Sequence, residues 1–380
     1  MVIHLIHHPV SAKKFVEPLV KLSNCNDIQA ELWLEKRDEF KDFTSAIDCP
    51  KRFVRLNLSI NPFTVLARLI DMSKKFLKLK PTAIHAHQTR AAFIPLLAAL
   101  IARVPIRIYH NHGTRYLACR GILRALFWLV EILNCCFATH VITVSHSIRE
   151  RMILHRIVRQ STCEVLGKGS ACGVALDEFS TEYFVADETR RIRQHLGIPQ
   201  GNYVVFYIGR PVKWKGFHAL LSAWRYMEAS KSGNTLLIAG CNDKDVVSVT
   251  GSPIKNVIAL GYVKDLRPCY AACDVVVLPS WHEGFPYSLL EGAAAARALV
   301  GSRIPGIDSI IIDNRNGLLV PVDKPGELAD TLAVLRDNHD LRRRMGHCGR
   351  QYVEKYFDRE YFNKLLLDYY DRIGIKRCNI

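Results

Sequence analysis

Residues 275–296 read VVVLPSWHEGFPYSLLEGAAAA, and this stretch decides the fold. An apolar run, Val275–Leu278, breaks at Pro279-Ser280. A polar loop follows, and residues 287–298 then carry a helical pattern. Strand, turn and helix in that order form the repeating unit of a parallel α/β sheet. Glu283 falls in the loop, and Glu291 falls one to two turns inside the helix. Gly284 and Pro286 let the backbone approach a ligand closely. The first N–H groups of a helix lack intrahelical partners and suit phosphate or sugar oxygens. The two carboxylates suit sugar hydroxyls. A plain helix start with acidic residues near its positive end would give the same spacing.

The same alternation runs outward in both directions. In the second half, strands are expected at Tyr203–Ile208 and near residues 235–239, 256–260, 299–300 and 317–320, with helices between them. In the first half, strands are expected at residues 2–8, Ala30–Leu34, 53–58, Ala83–His87, 107–112, 141–145 and 163–167. The intervening segments 11–22, 62–79, 89–102, 121–136 and 147–155 read as helices. Residues 172–199 change character and read as a linker. The chain of 380 residues is therefore expected to hold two doubly wound, Rossmann-like α/β domains. Such domains would face each other across a cleft at the carboxyl ends of both sheets.

Two further strand ends carry chemistry. Gly209-Arg210-Pro-Val-Lys-Trp-Lys215-Gly216 follows the strand Tyr203–Ile208 and precedes a helix. Arg210 and Lys215, two cations at a helix start, make a cradle for a diphosphate. Lys213 reads as a solvated neighbour. In the first half, Tyr109-His110-Asn111-His112-Gly113-Thr114 ends a strand. His112 there could bond substrate hydroxyls or move a proton, while His110 reads as structural. His85 and His87 end the preceding strand and could line the same opening. No triad at metal-ligand spacing follows from these histidines.

Charge is uneven. Residues 51–170 carry 19 Lys/Arg against 4 Asp/Glu, whereas residues 171–380 carry 27 against 24. The basic surplus of the first half suits an anionic surface such as a membrane leaflet or a lipid diphosphate. It shows no aromatic interleaving or nucleic-acid motif, so a basic nucleic-acid-binding protein is disfavoured. The 12 cysteines include no C-x-x-C pair and suit burial in a reducing compartment. Segments 91–106 and 121–144 are apolar, but charges or length exclude a span. Residues 121–134, GILRALFWLVEILN, read as a buried core helix in preference to a membrane-dipping one. Asp243-Lys-Asp245 matches a metal-binding D-x-D pattern, but reads as a solvated loop. Gly167-Lys-Gly169-Ser-Ala-Cys-Gly173 sits at a domain end, the wrong place for a dinucleotide loop.

Taken together, the Glu283-to-Glu291 loop-helix, the Gly209-Arg210…Lys215-Gly216 turn and the His112-Gly113 strand end resemble the retaining glycosyltransferases of family 4. Val165-Leu-Gly-Lys-Gly-Ser170…Asp177-Glu178-Phe179 is similar to the segment leading into that family's interdomain linker. The resemblance covers nearly the whole chain and is most specific in its second half. It implies the GT-B fold, with an acceptor domain over residues 1–180 and a nucleotide-sugar domain over 198–357. Residues 358–380 would pack back on the first domain. It also implies roles: Arg210 and Lys215 would bind the donor diphosphate, and Glu283 would contact the donor sugar. Main-chain groups of Gly284, Phe285 and Pro286 would hold sugar hydroxyls. Glu291 would bind the ribose, and His112 would lie near the transferred sugar.

No cofactor or metal is implied, because basic residues and a helix dipole would neutralise the departing diphosphate. The partners implied are a nucleotide-sugar and a lipid-linked glycan acceptor of cell-surface polysaccharide, with no nucleic acid. The location implied is the inner face of the plasma membrane, as a peripheral protein. One departure stands out: where many relatives carry a glycine-rich loop, this chain reads His7-His8-Pro9-Val10-Ser11. A nucleotide-sugar hydrolase or epimerase on the same fold is the alternative within the fold.

Overall fold

A computed structural model describes residues 1–56, 61–179, 186–230 and 233–377. The chain divides into two compact units, Met1–Gly173 with Arg359–Ile380, and Val174–Asp358.

The first unit is built on a seven-stranded sheet in the order β3-β2-β1-β4-β5-β6-β7. The strands are β1 Val2–Ile6, β2 Ala30–Leu34, β3 Lys51–Phe53, β4 Ala83–His87, β5 Ile106–Asn111, β6 His140–Thr143 and β7 Cys163–Glu164. Every pairing is parallel. Strands β1 and β4 are buried along their whole length, as strands covered on both faces must be. Helices α1 (Pro62–Leu79), α2 (Thr89–Ile101) and α3 (Gly121–Phe137) make the crossovers from β3 to β6. Trp33, stacked on Phe76, and the apolar strand residues Ile3, Leu5 and Ile84 form the core.

The second unit has a six-stranded parallel sheet in the order β10-β9-β8-β11-β12-β13. Its strands are β8 Tyr203–Ile208, β9 Asn234–Ala239, β10 Val257–Ala259, β11 Val275–Leu278, β12 Ala298–Ser302 and β13 Gly317–Val320. Helix α4 (Phe217–Ser230) follows β8, and α5 (Tyr287–Ala294) follows β11. Helix α6 (Arg359–Arg372) closes the chain and belongs to the first unit.

Several sequence expectations are corrected. The strand expected over 53–58 pairs only at Lys51–Phe53, and residues 57 and 58 lie outside the described residues. The expected domain end at 180 also lies outside them. Helix α5 stops at Ala294, because Ala298 already opens β12. Asp243 and Asp245 do not sit in a loop. They open the helix Asp243–Thr250, where Asn242 and Asp245 form a reciprocal capping box. Gly169 serves packing: its φ is +114°, and a Cβ there would lie 2.2 Å from the Val144 carbonyl oxygen.

The largest correction concerns α3, expected to be a buried core helix. Its buried residues are Val130, Glu131 and Asn134, while Ile122, Leu123, Leu126, Trp128 and Leu129 are exposed. The reason is the Glu131 carboxyl group. It accepts hydrogen bonds from Thr89 Oγ1 at 2.6 Å, Tyr109 Oη at 2.6 Å and Asn111 Nδ2 at 3.2 Å. Asn134 Nδ2 donates to the Thr89 carbonyl at 2.9 Å. These bonds turn the polar stripe inward, and the apolar residues take the opposite face.

Candidate active site

In the second unit, β8 and β11 are adjacent, so the loops at their carboxyl ends lie side by side. Beyond β8, residues Lys213–Lys215 make a 3₁₀ turn into Gly216. Gly216 has φ +75°, and a Cβ there would fall 2.0 Å from the Pro279 carbonyl oxygen, so only glycine lets the loops touch. The Trp281 N–H donates to the Trp214 carbonyl at 2.9 Å, which ties them. Across this seam, Lys215 Nζ lies 2.5 Å from Glu283 Oε1, with the side chains 20% and 10% exposed. The Trp214 ring carries Arg210 Cζ on one contact and Lys215 Nζ on another, each 5.0 Å from its centroid. Tyr207 Oη donates to the carbonyls of Arg210 and Lys215, at 3.2 and 3.3 Å. Arg210, Lys215 and Glu283 are thus held as one group.

Glu291 sits on the second turn of α5. Tyr270 Oη donates to its Oε2 at 2.9 Å and to the Ser288 carbonyl at 3.1 Å. Burial first, and then the Glu291 charge, push the Tyr270 hydroxyl well above its usual range, so it stays a donor. Pro286 occupies the N-cap of α5, and no side chain caps that end. Phe285 packs on Tyr287 and Phe357. Gly306, at φ +91°, lies under the loop, where a Cβ would come 2.4 Å from the Gly284 carbonyl oxygen. Burial lowers the His282 imidazole, opposed by Glu283 and reinforced by Lys215. A partly buried lysine, an exposed arginine, two carboxylates and an uncapped helix start form an arrangement chemically suited to a diphosphate joined to a polyol.

In the first unit, the strand ends hold a file of histidines. Parallel register sets His4 beside His85 and His87 beside His110. The i, i+2 spacing puts His85 with His87, and His110 with His112, on one sheet face. Five contacts then run in sequence. They are His110 Nδ1 to His85 Nε2 at 3.3 Å, His85 Nδ1 to Tyr370 Oη at 2.7 Å and Tyr370 Oη to His4 Nε2 at 3.5 Å. His4 Nδ1 to His87 Nε2 at 3.3 Å and His87 Nδ1 to His112 Nε2 at 3.1 Å complete them. His85, His87 and His110 are fully buried, so they line no opening, contrary to the expectation for the first two. Only His112 reaches partial exposure. Burial lowers His4 to about 3 and His112 to about 4. Burial, and then neighbouring imidazoles, hold the other three well below the usual range.

The rings are therefore neutral, with one N–H each. Among the described residues, His110 Nε2 is buried without a partner. A file donating from His110 toward His112 leaves only an acceptor unsatisfied there, whereas the reverse would strand an N–H. The first direction costs less, and it leaves His112 with its proton on Nδ1. The nitrogens of His4, His85 and His87, and of His87, His110 and His112, gather within 4.8 Å, a clustering the linear sequence did not reveal. The close pairs among them are accounted for by this hydrogen-bonded file. His4 and Tyr370 were also missed, since neither stands near a motif. His7 is bonded to Glu35 at 2.8 Å and to Arg37 at 2.6 Å, in the place where a glycine-rich loop was absent.

Comparison with known proteins agrees with this division. Residues 34–169 match the family model described as Glycosyltransferase Family 4, and residues 202–338 match Glycosyl transferases group 1. The Staphylococcus aureus capsular polysaccharide biosynthesis glycosyltransferase CapM is 27% identical over 302 residues, 78% of each chain. A Campylobacter jejuni enzyme, N,N'-diacetylbacillosaminyl-diphospho-undecaprenol alpha-1,3-N-acetylgalactosaminyltransferase, is 24% identical over 83% of each chain. The crystal structure of Anabaena HepE in complex with UDP and glucose superposes with a TM-score of 0.80 at 19% identity, covering 97% of this chain and 99% of that one. With both halves matched in order and the two-sheet architecture shared, the chain belongs to the family-4 glycosyltransferases and has the GT-B fold.

Proposed function

We propose that the chain transfers a sugar from a nucleotide-sugar, with a UDP-sugar as the first candidate, to a lipid-linked glycan. The product would be a capsular or lipopolysaccharide-type polysaccharide precursor, made with retention at the anomeric carbon. The observation that carries this reading is the Lys215–Glu283 pair beside Arg210 and the start of α5. Arrival of a diphosphate gives Lys215 a second anionic partner, and Arg210 a bidentate one. In the proposed step a bond forms between the acceptor oxygen and the anomeric carbon while the bond from that carbon to the donor phosphate oxygen breaks. The acceptor proton passes to that phosphate oxygen, and the nucleoside diphosphate leaves. Arg210 and Lys215 stabilise the charge that develops on it, so no metal or cofactor is needed. Glu283 and the main chain of Gly284, Phe285 and Pro286 orient the sugar, and Glu291 takes the ribose hydroxyls. His112 is assigned to the transferred sugar. Support for the donor comes from the UDP and glucose bound to HepE, and for the acceptor from the lipid diphosphate named in the Campylobacter enzyme. The enzyme is assigned to the inner face of the plasma membrane.

The test is nucleotide release from UDP-, GDP- and ADP-sugars, with and without a lipid-diphosphate sugar, for wild type, Glu283→Ala and Lys215→Ala. Acceptor-dependent release, lost in both variants, supports the transferase. Release that ignores the acceptor makes it a hydrolase or epimerase. The anomeric proton coupling of the product decides retention.

A further inference from the structure

Helices α1, α2 and α3 make the steps from β3 to β4, β4 to β5 and β5 to β6, all in one direction across the sheet. Right-handed crossovers place all three on one face, and α2 packs against both its neighbours. The outer surface of this layer is apolar where a water-facing surface should be polar. On α1, Phe63, Leu66, Ile70 and Leu77 are exposed at i, i+3, i+7 and i+14, a single stripe, with Phe63 79% exposed. On α3, residues 121–126 are exposed on all sides, with Ile122 at 86% and Leu126 at 50%. Trp128 and Leu129 continue that surface. Both helices follow parallel strands, so both start at the carboxyl edge of the sheet. β5 delivers His112 to the same edge.

The rim is basic. Arg115, Arg120 and Arg124 stand exposed around the start of α3, and Lys74 and Lys78 flank the α1 stripe. Between residues 61 and 160 the only acids are Asp71, Glu131 and Glu150. Glu131 is buried, and Asp71 is paired to Lys75 at 2.6 Å.

We propose that this face docks on an anionic phospholipid leaflet, with Ile122, Leu123 and Leu126 of α3 and Phe63 and Leu66 of α1 sunk among the acyl chains. The arginines and lysines of the rim then meet the lipid phosphates, and Trp128 sits at the headgroup level. This is in-plane docking: among the described residues no helix is long and apolar enough to cross a membrane. A second copy of the chain is a poorer occupant, because a two-fold contact would set arginines against arginines. The proposal deepens the membrane-bound acceptor reading and rests on it for its purpose. It also adds an apolar wedge to the purely electrostatic attraction expected from composition.

The test is flotation of the full chain with vesicles of phosphatidylcholine alone, and of phosphatidylcholine mixed with phosphatidylglycerol. Wild type should bind the anionic vesicles more tightly, and salt should weaken that preference. Ile122→Glu with Leu126→Glu changes only exposed side chains and should lower binding by roughly tenfold or more. Its thermal midpoint should match wild type. Arg120→Gln with Arg124→Gln should lower binding and flatten the salt dependence. Lipids brominated near the headgroup should quench a fluorescence component that Trp128→Phe lacks. Unchanged flotation of the Ile122→Glu, Leu126→Glu chain overturns the proposal. So does a wild-type dimer in sedimentation that the same pair dissociates, with no vesicle binding. Flotation needs neither donor nor acceptor. A chain that transfers sugar to a water-soluble acceptor yet ignores vesicles therefore sinks the docking and leaves the transferase reading standing.

Discussion

Lys215 Nζ reaches Glu283 Oε1 at 2.5 Å across two loops that are 68 residues apart in sequence. Each partner is mostly shielded, and each is a group the proposed chemistry needs. Removing one leaves the other buried without its counter-charge. Lys215→Ala should therefore lower stability by about 1–3 kcal/mol. Lys215→Met with Glu283→Gln, which discharges both, should recover most of that loss. Neither variant should recover turnover, because the departing diphosphate loses its cation, and kcat should fall roughly 100- to 1000-fold. Urea unfolding and initial rates on the same preparations separate the two effects. Equal turnover in wild type and the double variant would remove Lys215 from the mechanism.

The Gly306 N–H donates to Asp308 Oδ1 at 3.0 Å, and the residue controls where Gly284 lies. A methyl group there meets the Gly284 carbonyl at 2.4 Å, on a backbone at φ +91° that other residues rarely adopt. Gly306→Ala should push the loop from Glu283 to Pro286 outward. The expected result is a rise in donor KM together with a fall in kcat, without loss of the folded state. Circular dichroism alongside steady-state kinetics is the check, and unchanged kinetics would show that the loop position does not matter.

The residues of the second unit assigned to the donor in the proposed mechanism each stand in a short stretch. Arg210 and Lys215 share one turn, and Glu283 and Glu291 share one loop-helix. What tied them together was not legible. Trp214 and Trp281 are joined by a backbone bond between loops, and Tyr270 reaches Glu291 through its hydroxyl from another helix, which no local pattern reports. The same holds for His4 and Tyr370, which stand 366 residues apart and meet at β4. Helix α3 was misread for a related reason. Its composition is apolar, but Glu131 has three donors waiting on α2 and β5, and they decide which face turns inward.

The histidine file sets the tautomer of His112. If the file donates from His110 toward His112, then His112 carries its proton on Nδ1 and accepts from His87 at Nε2. Nitrogen-15 shifts of labelled histidine should show a neutral His112 in the Nδ1–H form at neutral pH. Tyr370→Phe removes the hydroxyl between His85 and His4, and the His4 to His112 half should then lose its fixed direction. A mixed tautomer signal for His112 in that variant is the expected outcome. A wild-type His112 protonated on Nε2 would contradict the assigned direction.

Acid should destabilise the first unit, and the sign follows from the direction of each shift. His4 is lowered to about 3 and His112 to about 4, and His85, His87 and His110 are also lowered, all first by burial. In the unfolded chain each would take a proton near its ordinary value of about 6.5. Below that pH the unfolded state binds protons that the fold refuses, so stability falls as pH drops from about 6.5 toward 4. Each histidine contributes up to about 1.4 kcal/mol per pH unit. Glu131 acts the other way. Burial raises its carboxyl to about 7 against the hydrogen bonds from Thr89, Tyr109 and Asn111. Its contribution is present at low pH and is lost as pH rises from about 4.5 through 7. Five imidazoles outweigh one carboxyl, so the net slope between about pH 5 and 6.5 should be positive. Glu131→Gln keeps one carbonyl acceptor, turns an amide N–H toward the other hydroxyl and removes the opposing titration, so it should make that slope steeper. Urea midpoints across this range for wild type, Glu131→Gln and His4→Gln test both signs. A wild-type profile that is flat, or that falls toward pH 6.5, would mean that the file is not held neutral by the fold.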